Sequence, residues 1–316
     1  MQISVVIPLL NEAESLPELH RWITEVMQKH QFSYEIIFID DGSSDASWQI
    51  IKDLSQNDAQ VKGIKFRRNY GKSQGLNAGF KMAKGDVVIT MDADLQDNPE
   101  EIPPLYEMIV NAGYDLVSGW KKVRYDSKIK KNIPSKLFNW AARKVSGIYL
   151  HDFNCGLKAY KNQVVKDVNV YGEMHRYIPF LAKNEGYTNI GEKVVKHQAR
   201  KYGETKFGSD RFIKGVLDLI TLWFLTRFAK RPMHFFGALG ILMFVIGGLA
   251  TFAILAVKAY KLLMHIPTHL VTDRPWFYIA LAAMILGSQF FLAGFLGELL
   301  IKNNPNTKYY DIAEEV

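Results

Sequence analysis

Asp92 and Asp94 stand one residue apart at the end of the apolar run Val87 to Met91. Carboxylates so placed offer hard oxygen ligands to Mg²⁺ or Mn²⁺, and such a cation can bridge a diphosphate. The triplet by itself is equally compatible with a solvated turn, general bases or helix caps, because aspartate is common in all three. Two more polar clusters follow apolar runs: Pro8-Leu9-Leu10-Asn11-Glu12 after Ile3 to Ile7, and Asp40-Asp41-Gly42-Ser43 after Glu35 to Ile39. Three acidic strand ends on one edge weaken the turn reading. Asp45, ahead of Ala46-Ser47-Trp48, reads as a cap.

The elements that must position these residues alternate. β-rich runs recur at Ile3 to Ile7, Glu35 to Ile39, Val61 to Phe66, Val87 to Met91 and Leu116 to Ser118. Helical spacing fills the intervals at Leu16 to His30, Ser47 to Leu54, Ser73 to Ala83 and Pro99 to Asn111. Ser15 and Glu18 have the spacing of a capping box, with Pro17 in the first turn. The pattern predicts an α/β fold with a parallel sheet covered on both faces, whose ligands bind at the carboxyl ends of the strands. No GxGxxG follows the first strand and no GxxxxGK[ST] is present, which argues against a dinucleotide-binding enzyme and a P-loop.

Charge is segregated along the 316 residues. Residues 1–120 hold 10 Lys+Arg against 18 Asp+Glu, residues 121–234 hold 24 against 9, and residues 235–316 hold 5 against 5. Nucleic acid could exploit the basic part, but no reading motif accompanies it, so no nucleic-acid partner is expected. The lone Cys155 can form no internal disulfide and favours a reducing compartment. The N-terminal apolar run lacks the flanks of a signal peptide and reads as a strand.

Phe235 to Val257 and Trp276 to Gly297 carry no charge and are long enough, at about 1.5 Å per residue, to cross a bilayer. Arg227, Lys230 and Arg231 precede the first span and predict a two-pass protein with both termini cytoplasmic. Lys258, Lys261 and Arg274 in the intervening loop weaken that bias. Gly237, Gly240, Gly247, Gly248, Gly287, Gly294 and Gly297 would let helices approach closely. Glu298 reads as an interfacial acid.

The ordered motifs resemble those of family 2 glycosyltransferases with the GT-A fold, specifically the polyprenyl-phosphate glycosyltransferases related to dolichol-phosphate mannose synthase. The matching residues are Val5 to Pro8 with Asn11-Glu12, Asp40 to Ser43, Asn69 to Lys72 with Gly75, Asn77, Ala78 and Gly79, and Asp92 to Gln96. Further matches are His151 to Lys158 and Arg200 to Gly208, followed by the two spans. The resemblance implies that Pro8, Glu12, Asp41, Lys72 and Asp92 bind the nucleotide, that Asp92, Asp94 and Gln96 organise Mg²⁺ or Mn²⁺ and the donor diphosphate, and that Asp94 is a catalytic residue with Asp152. It makes Asp152 a candidate base and the Arg200 to Lys206 segment a diphosphate-closing loop. Where the family often has Arg after the glycine of the Asp152 motif, this chain has Leu157-Lys158.

Domains are therefore expected at 1–208 (GT-A), 209–231 (juxtamembrane amphipathic helix), 232–301 (spans at about 235–257 and 276–300) and 302–316 (cytoplasmic tail). The expected reaction is inverting transfer of one sugar from a UDP- or GDP-linked donor to a polyprenyl phosphate at the cytoplasmic face, in a bacterial inner membrane. Another lipid or polysaccharide acceptor, or a non-catalytic membrane scaffold, is the alternative. A phosphate monoester is mostly dianionic at neutral pH, so Asp152 could orient a group as readily as remove a proton. Arg200 and Lys206, with Lys121 and Arg176, are candidates for the donor diphosphate or the acceptor phosphate. Arg200 and Lys206 suit lipid headgroups as well. Residues 134–146 read as a basic amphipathic helix whose apolar face meets either the bilayer or the core. Glycine-bearing spans and such helices make a homo-oligomer an expectation.

Overall fold

The structure is a computed structural model and describes residues 1–122, 139, 142–144, 146–170, 172, 174–199, 201–202, 221, 224, 228 and 231–302. The chain divides into two compact units, Met1–Leu222 and Trp223–Val316. Most of 134–146 and 209–231, together with Arg200, Lys206 and 303–316, lie outside the described residues. Within the first of these stretches Asn139, Ala142 and Ser146 are buried at helical spacing.

Seven strands form one sheet: β1 (Ile3–Leu9), β2 (Tyr34–Asp40), β3 (Val61–Lys65), β4 (Val87–Thr90), β5 (Leu116–Trp120), β6 (Lys158–Lys161) and β7 (Ile190–Val194). Their order is β3-β2-β1-β4-β6-β5-β7. β1 lies parallel to β2, from Ile3↔Tyr34 to Leu9↔Asp40, and parallel to β4. β1 and β2 are almost wholly apolar because helices cover both faces. The sheet is mostly parallel rather than wholly so, since β6 runs antiparallel to both β4 and β5. β6 has only four residues, with lysine at each end, and so gives no strand signal in the sequence. β7 is a half-buried edge strand and is equally hard to read.

Four helices connect the first five strands: α1 (Leu16–Lys29), α2 (Ser47–Asn57), α3 (Lys72–Met82) and α4 (Ile102–Val110), the last entered through a 3₁₀ turn at Pro99–Glu101. Leu16, Leu19, Ile23 and Met27 of α1 pack with Ile3, Val5 and Ile7 of β1 in the core. The expected capping box does not form. Ser15 Oγ donates instead to the Glu12 carbonyl at 2.9 Å, and Glu18 accepts from Lys201 Nζ and from Tyr202 OH at 3.1 Å. Asp45 does serve the start of α2, its Oδ1 accepting from Ser47 N at 2.9 Å. On α3, a Cβ at Gly79 would collide with Val6 and lie 2.9 Å from Ile39, so glycine lets the helix sit directly on the sheet.

The second unit is built on α7 (Pro232–Leu263) and α8 (Pro275–Lys302), which follow the short helices α5 (Asn162–Asp167) and α6 (Ile178–Asn184) of the first unit. Both α7 and α8 are long and apolar enough to cross a membrane. Only 11% and 17% of their most apolar stretches are buried, which is far too little for core helices of a soluble protein. A Cβ at Gly240 would lie 2.6 Å from the Gly287 carbonyl, and one at Gly287 equally close to the Gly240 carbonyl. The two helices meet backbone to backbone there. Gly248 faces open space instead. Glu298 Oε2 accepts from Met233 N at 3.5 Å, so this acid reaches the first turn of α7.

Candidate active site

The carboxyl ends of β1, β2 and β4 open onto a cavity of about 280 Å³. Pro8, Leu9, Leu10 and Glu12 line it from the end of β1, Asp41 from β2, Asp92 to Asp94 from β4, and Asn69, Gly71 and Lys72 from the turn into α3. That turn is fastened by Asp41, whose carboxylate accepts from Tyr70 N at 2.7 Å and from Gly71 N at 2.9 Å. Gly42, at φ 77°, packs so closely on the Arg68 backbone that a Cβ would lie 2.5 Å from its carbonyl carbon. Asn11 and Leu95, at the ends of β1 and β4, also have positive φ, at 52° and 60°. Such conformations in side-chain-bearing residues concentrate at sites where function over-rides local preference.

Asp92 is ion-paired with Lys72. Burial opposes its charge, but Lys72 and Lys121 outweigh that and hold its carboxyl well below the usual carboxylate range. Gly156 flanks it, since a Cβ there would come within 2.5 to 2.8 Å of the Asp92 carboxylate atoms. The Asp152 motif is thus folded against the first aspartate of the Asp92-Ala93-Asp94 triplet. Thr90 Oγ1 donates to the Gly156 carbonyl at 2.8 Å and fixes the contact.

Asp94 Oδ1 accepts from Gln96 N at 3.2 Å. Gln96 does not line the cavity; its carbonyl accepts from Gln198 N at 3.0 Å, and Asp97 bridges to His197. The segment that leads to Arg200 is therefore zipped to the chain just after Asp94. Lys121 does not line the cavity either: its ammonium is 2.7 Å from Asp97. Burial disfavours that charge, yet Asp97, together with Cys155 and Asp92, outweighs it and raises the ammonium pKa.

Asp152 is 2% exposed and is not among the residues that line this cavity; its Oδ1 accepts from Asn154 N at 3.1 Å. Phe153 and Asn154, the next residues, line a second, small cavity with Lys72, Lys158, His175 and Arg176. Arg176 is thereby brought to a cavity that Lys72 also lines. Burial, then Lys72 and Arg176, hold the His175 imidazole well below its usual pKa, so it is neutral at pH 7. Lys158 is buried and donates to the Phe153 carbonyl at 3.3 Å and to the Cys155 carbonyl. Asn139 carries no sequence signal for this site. Its side chain donates to the His151 carbonyl at 2.9 Å and accepts from Phe153 N at 3.4 Å, bracketing Asp152.

Among the described residues no three His, Cys, Asp or Glu side chains converge as a closed metal cage. Asp92 and Asp94 are hard oxygen donors on one cavity wall. Such a pair suits Mg²⁺ or Mn²⁺ whose other ligands are phosphate oxygens and water.

The family model described as glycosyl transferase family 2 matches residues 4–168, which span β1 to the helix after β6. The chain belongs to glycosyl transferase family 2. This family 2 transferase is 32% identical over 304 residues to dodecaprenyl-phosphate galacturonate synthase of Rhizobium johnstonii, covering 96% of this chain and 88% of the relative. It is 36% identical over 299 residues to undecaprenyl-phosphate 4-deoxy-4-formamido-L-arabinose transferase of Pseudomonas fluorescens, covering 94% and 84%. Among solved structures, glucosyl-3-phosphoglycerate synthase from Mycobacterium tuberculosis, in complex with Mn²⁺, UDP-glucose and phosphoglyceric acid, aligns with a TM-score of 0.55 at 16% identity. It covers 71% of this transferase and 79% of that chain, and the likeness establishes a shared GT-A-type fold.

Proposed function

We propose that this family 2 transferase moves a single sugar from a nucleotide sugar, UDP- or GDP-linked, to a polyprenyl phosphate, with inversion at the anomeric carbon. The observation that carries the reading is the cavity in which Asp41, Asp92, Asp94 and Lys72 converge while the Asp152 motif abuts Asp92. The relatives named for polyprenyl-phosphate sugars support the acceptor, and two apolar helices support a membrane setting.

In this reaction an acceptor phosphate oxygen forms the new bond to the anomeric carbon. The bond from that carbon to the donor diphosphate breaks, and its electron pair leaves with the nucleoside diphosphate. Asp92 and Asp94 would hold Mg²⁺ or Mn²⁺, which when bound supplies positive charge to the departing diphosphate. Pro8, Glu12 and Asp41 form the nucleoside side of the pocket. Lys72 faces the diphosphate, and Arg176 the acceptor phosphate. Charge stabilisation of this kind is usually the largest contribution to such a transition state. Asp152 is buried behind Asn154 and acts by positioning, since a dianionic phosphate needs no base. Gln96 and Lys121 support the wall through Asp94 and Asp97. Arg200 and Lys206 are assigned to the diphosphate on the motif alone.

In this reading the catalytic unit and both termini lie on the cytoplasmic side, which the basic flank of the first span supports. The test is purified full-length protein with Mg²⁺ or Mn²⁺, undecaprenyl phosphate and each labelled nucleotide sugar, with the lipid product analysed by mass. One donor should yield a lipid phosphate heavier by one glycosyl residue, with the nucleoside diphosphate released. Absence of product with every donor, from folded protein, would reject the reading.

A further inference from the structure

We propose that Lys72 is an internal counter-ion that closes Asp92 to a lone divalent cation and releases it only when a diphosphate arrives, so that metal and donor load together. The inference rests on the donor reading above and adds an order of binding to it.

Four observations converge on Lys72. Its ammonium is ion-paired with Asp92. It opens α3 directly after the turn that Asp41 fastens through Tyr70 N and Gly71 N, so its backbone is delivered to a fixed place. Gly156 lies beside the Asp92 carboxylate, so closely that a Cβ there would come within 2.5 to 2.8 Å of it. The two paired side chains are 34% and 32% exposed, so a ligand in the cavity can reach both.

Lys72 is also the one residue shared by the linings of the two cavities described above. The second cavity holds Lys158 and Arg176, so an ammonium displaced from Asp92 meets like charge there and is driven back towards the first. A divalent cation arriving alone would have to displace an ammonium at contact distance, with no anion to receive it. A diphosphate accepts the ammonium and brings the remaining metal ligands at once. Two ligands that each relieve a cost borne by the other bind cooperatively.

The test is Mn²⁺ binding to the full-length protein in detergent, followed by electron paramagnetic resonance without nucleotide. Lys72→Met should bind Mn²⁺ about tenfold tighter or more than wild type. Lys72→Arg should behave as wild type, and adding Asp92→Asn to Lys72→Met should abolish the gain. Equal or weaker binding by Lys72→Met overturns the inference. Repeating the titrations with UDP and with GDP, one nucleotide should tighten Mn²⁺ binding to wild type about tenfold or more, and should tighten binding to Lys72→Met less. If Lys72→Met does not fold, wild type decides, because equal Mn²⁺ affinity with and without nucleotide overturns the inference. Failure of wild type to bind Mn²⁺ with either nucleotide would reject the donor reading itself, whereas metal binding indifferent to Lys72 rejects only the counter-ion.

Discussion

Asp94 lines the cavity beside Asp92, and its carboxylate is steadied by Gln96 N at 3.2 Å. In the proposed reaction it holds the diphosphate-bound cation together with Asp92. Asp94→Asn should lower kcat about 100-fold or more while leaving the fold intact, as initial rates and circular dichroism would register. Asn139 acts at one remove, through the two hydrogen bonds that bracket Asp152. Asn139→Ala should lower kcat about tenfold with donor KM unchanged, and should cost about 1–2 kcal/mol of stability because the buried Phe153 N–H and the part-buried His151 carbonyl lose their partner. A change in donor KM alone would remove Asn139 from this role. These residues differ in legibility for a physical reason. Asp94 stands out because carboxylates after an apolar strand are conspicuous, whereas Asn139 is an ordinary asparagine whose bonds depend on how its segment meets the loop.

At the scale of elements, α3 is the piece on which the site turns, since it carries Lys72 at its start and rests on β1 and β2 through Gly75 and Gly79. Gly79→Ala adds a methyl that would collide with Val6, so the helix must lift from the sheet. The gain in helix propensity of about 1 kcal/mol is smaller than the overpacking cost of about 1–3 kcal/mol. Net destabilisation is expected, with a larger loss of donor affinity than Gly79 could cause by contact, and equilibrium unfolding beside donor titration would separate the two. At the opposite end of the sheet Glu35 is buried on β2 and accepts from Ser4 Oγ at 2.6 Å, Lys84 N at 2.7 Å and Lys62 Nζ at 2.5 Å. Burial alone would raise its pKa, but these donors prevail and lower it. A carboxyl lowered on folding contributes stability above the unfolded value of about 4.3 and loses it as pH falls through the folded value. Wild type should therefore be more stable than Glu35→Gln by a constant margin above about pH 5.5, and the margin should shrink below about pH 4. A margin that grows on acidification would contradict the assignment. The first five strands and four helices are legible because their apolar periodicity is strong. β6 is hidden because a four-residue strand held between two neighbours needs no periodicity of its own.

The whole molecule combines a catalytic unit of mixed charge with an apolar pair of helices, and the lone cysteine offers a way to read its topology. Burial pushes the Cys155 thiol up to about 12, so it stays protonated and shielded from reagents. Wild type should not react with a membrane-impermeant maleimide at pH 7.5. His269→Cys, in the exposed turn between α7 and α8, should label in intact spheroplasts, and Gln56→Cys, exposed on α2, only after permeabilisation. Labelling of both from one side would refute the two-pass arrangement. The sequence by itself determined the division into acidic, basic and neutral thirds, the two helices of membrane-crossing length and the acidic strand ends, because composition and periodicity are local properties. Tertiary structure alone decided that Lys72 sits on Asp92, that Gly156 closes the other flank and that Asn139 holds the Asp152 loop. Those contacts join residues distant along the chain. They exist only once the crossovers and the reversed β6 bring their segments to one edge of the sheet, where packing rather than local preference chooses partners.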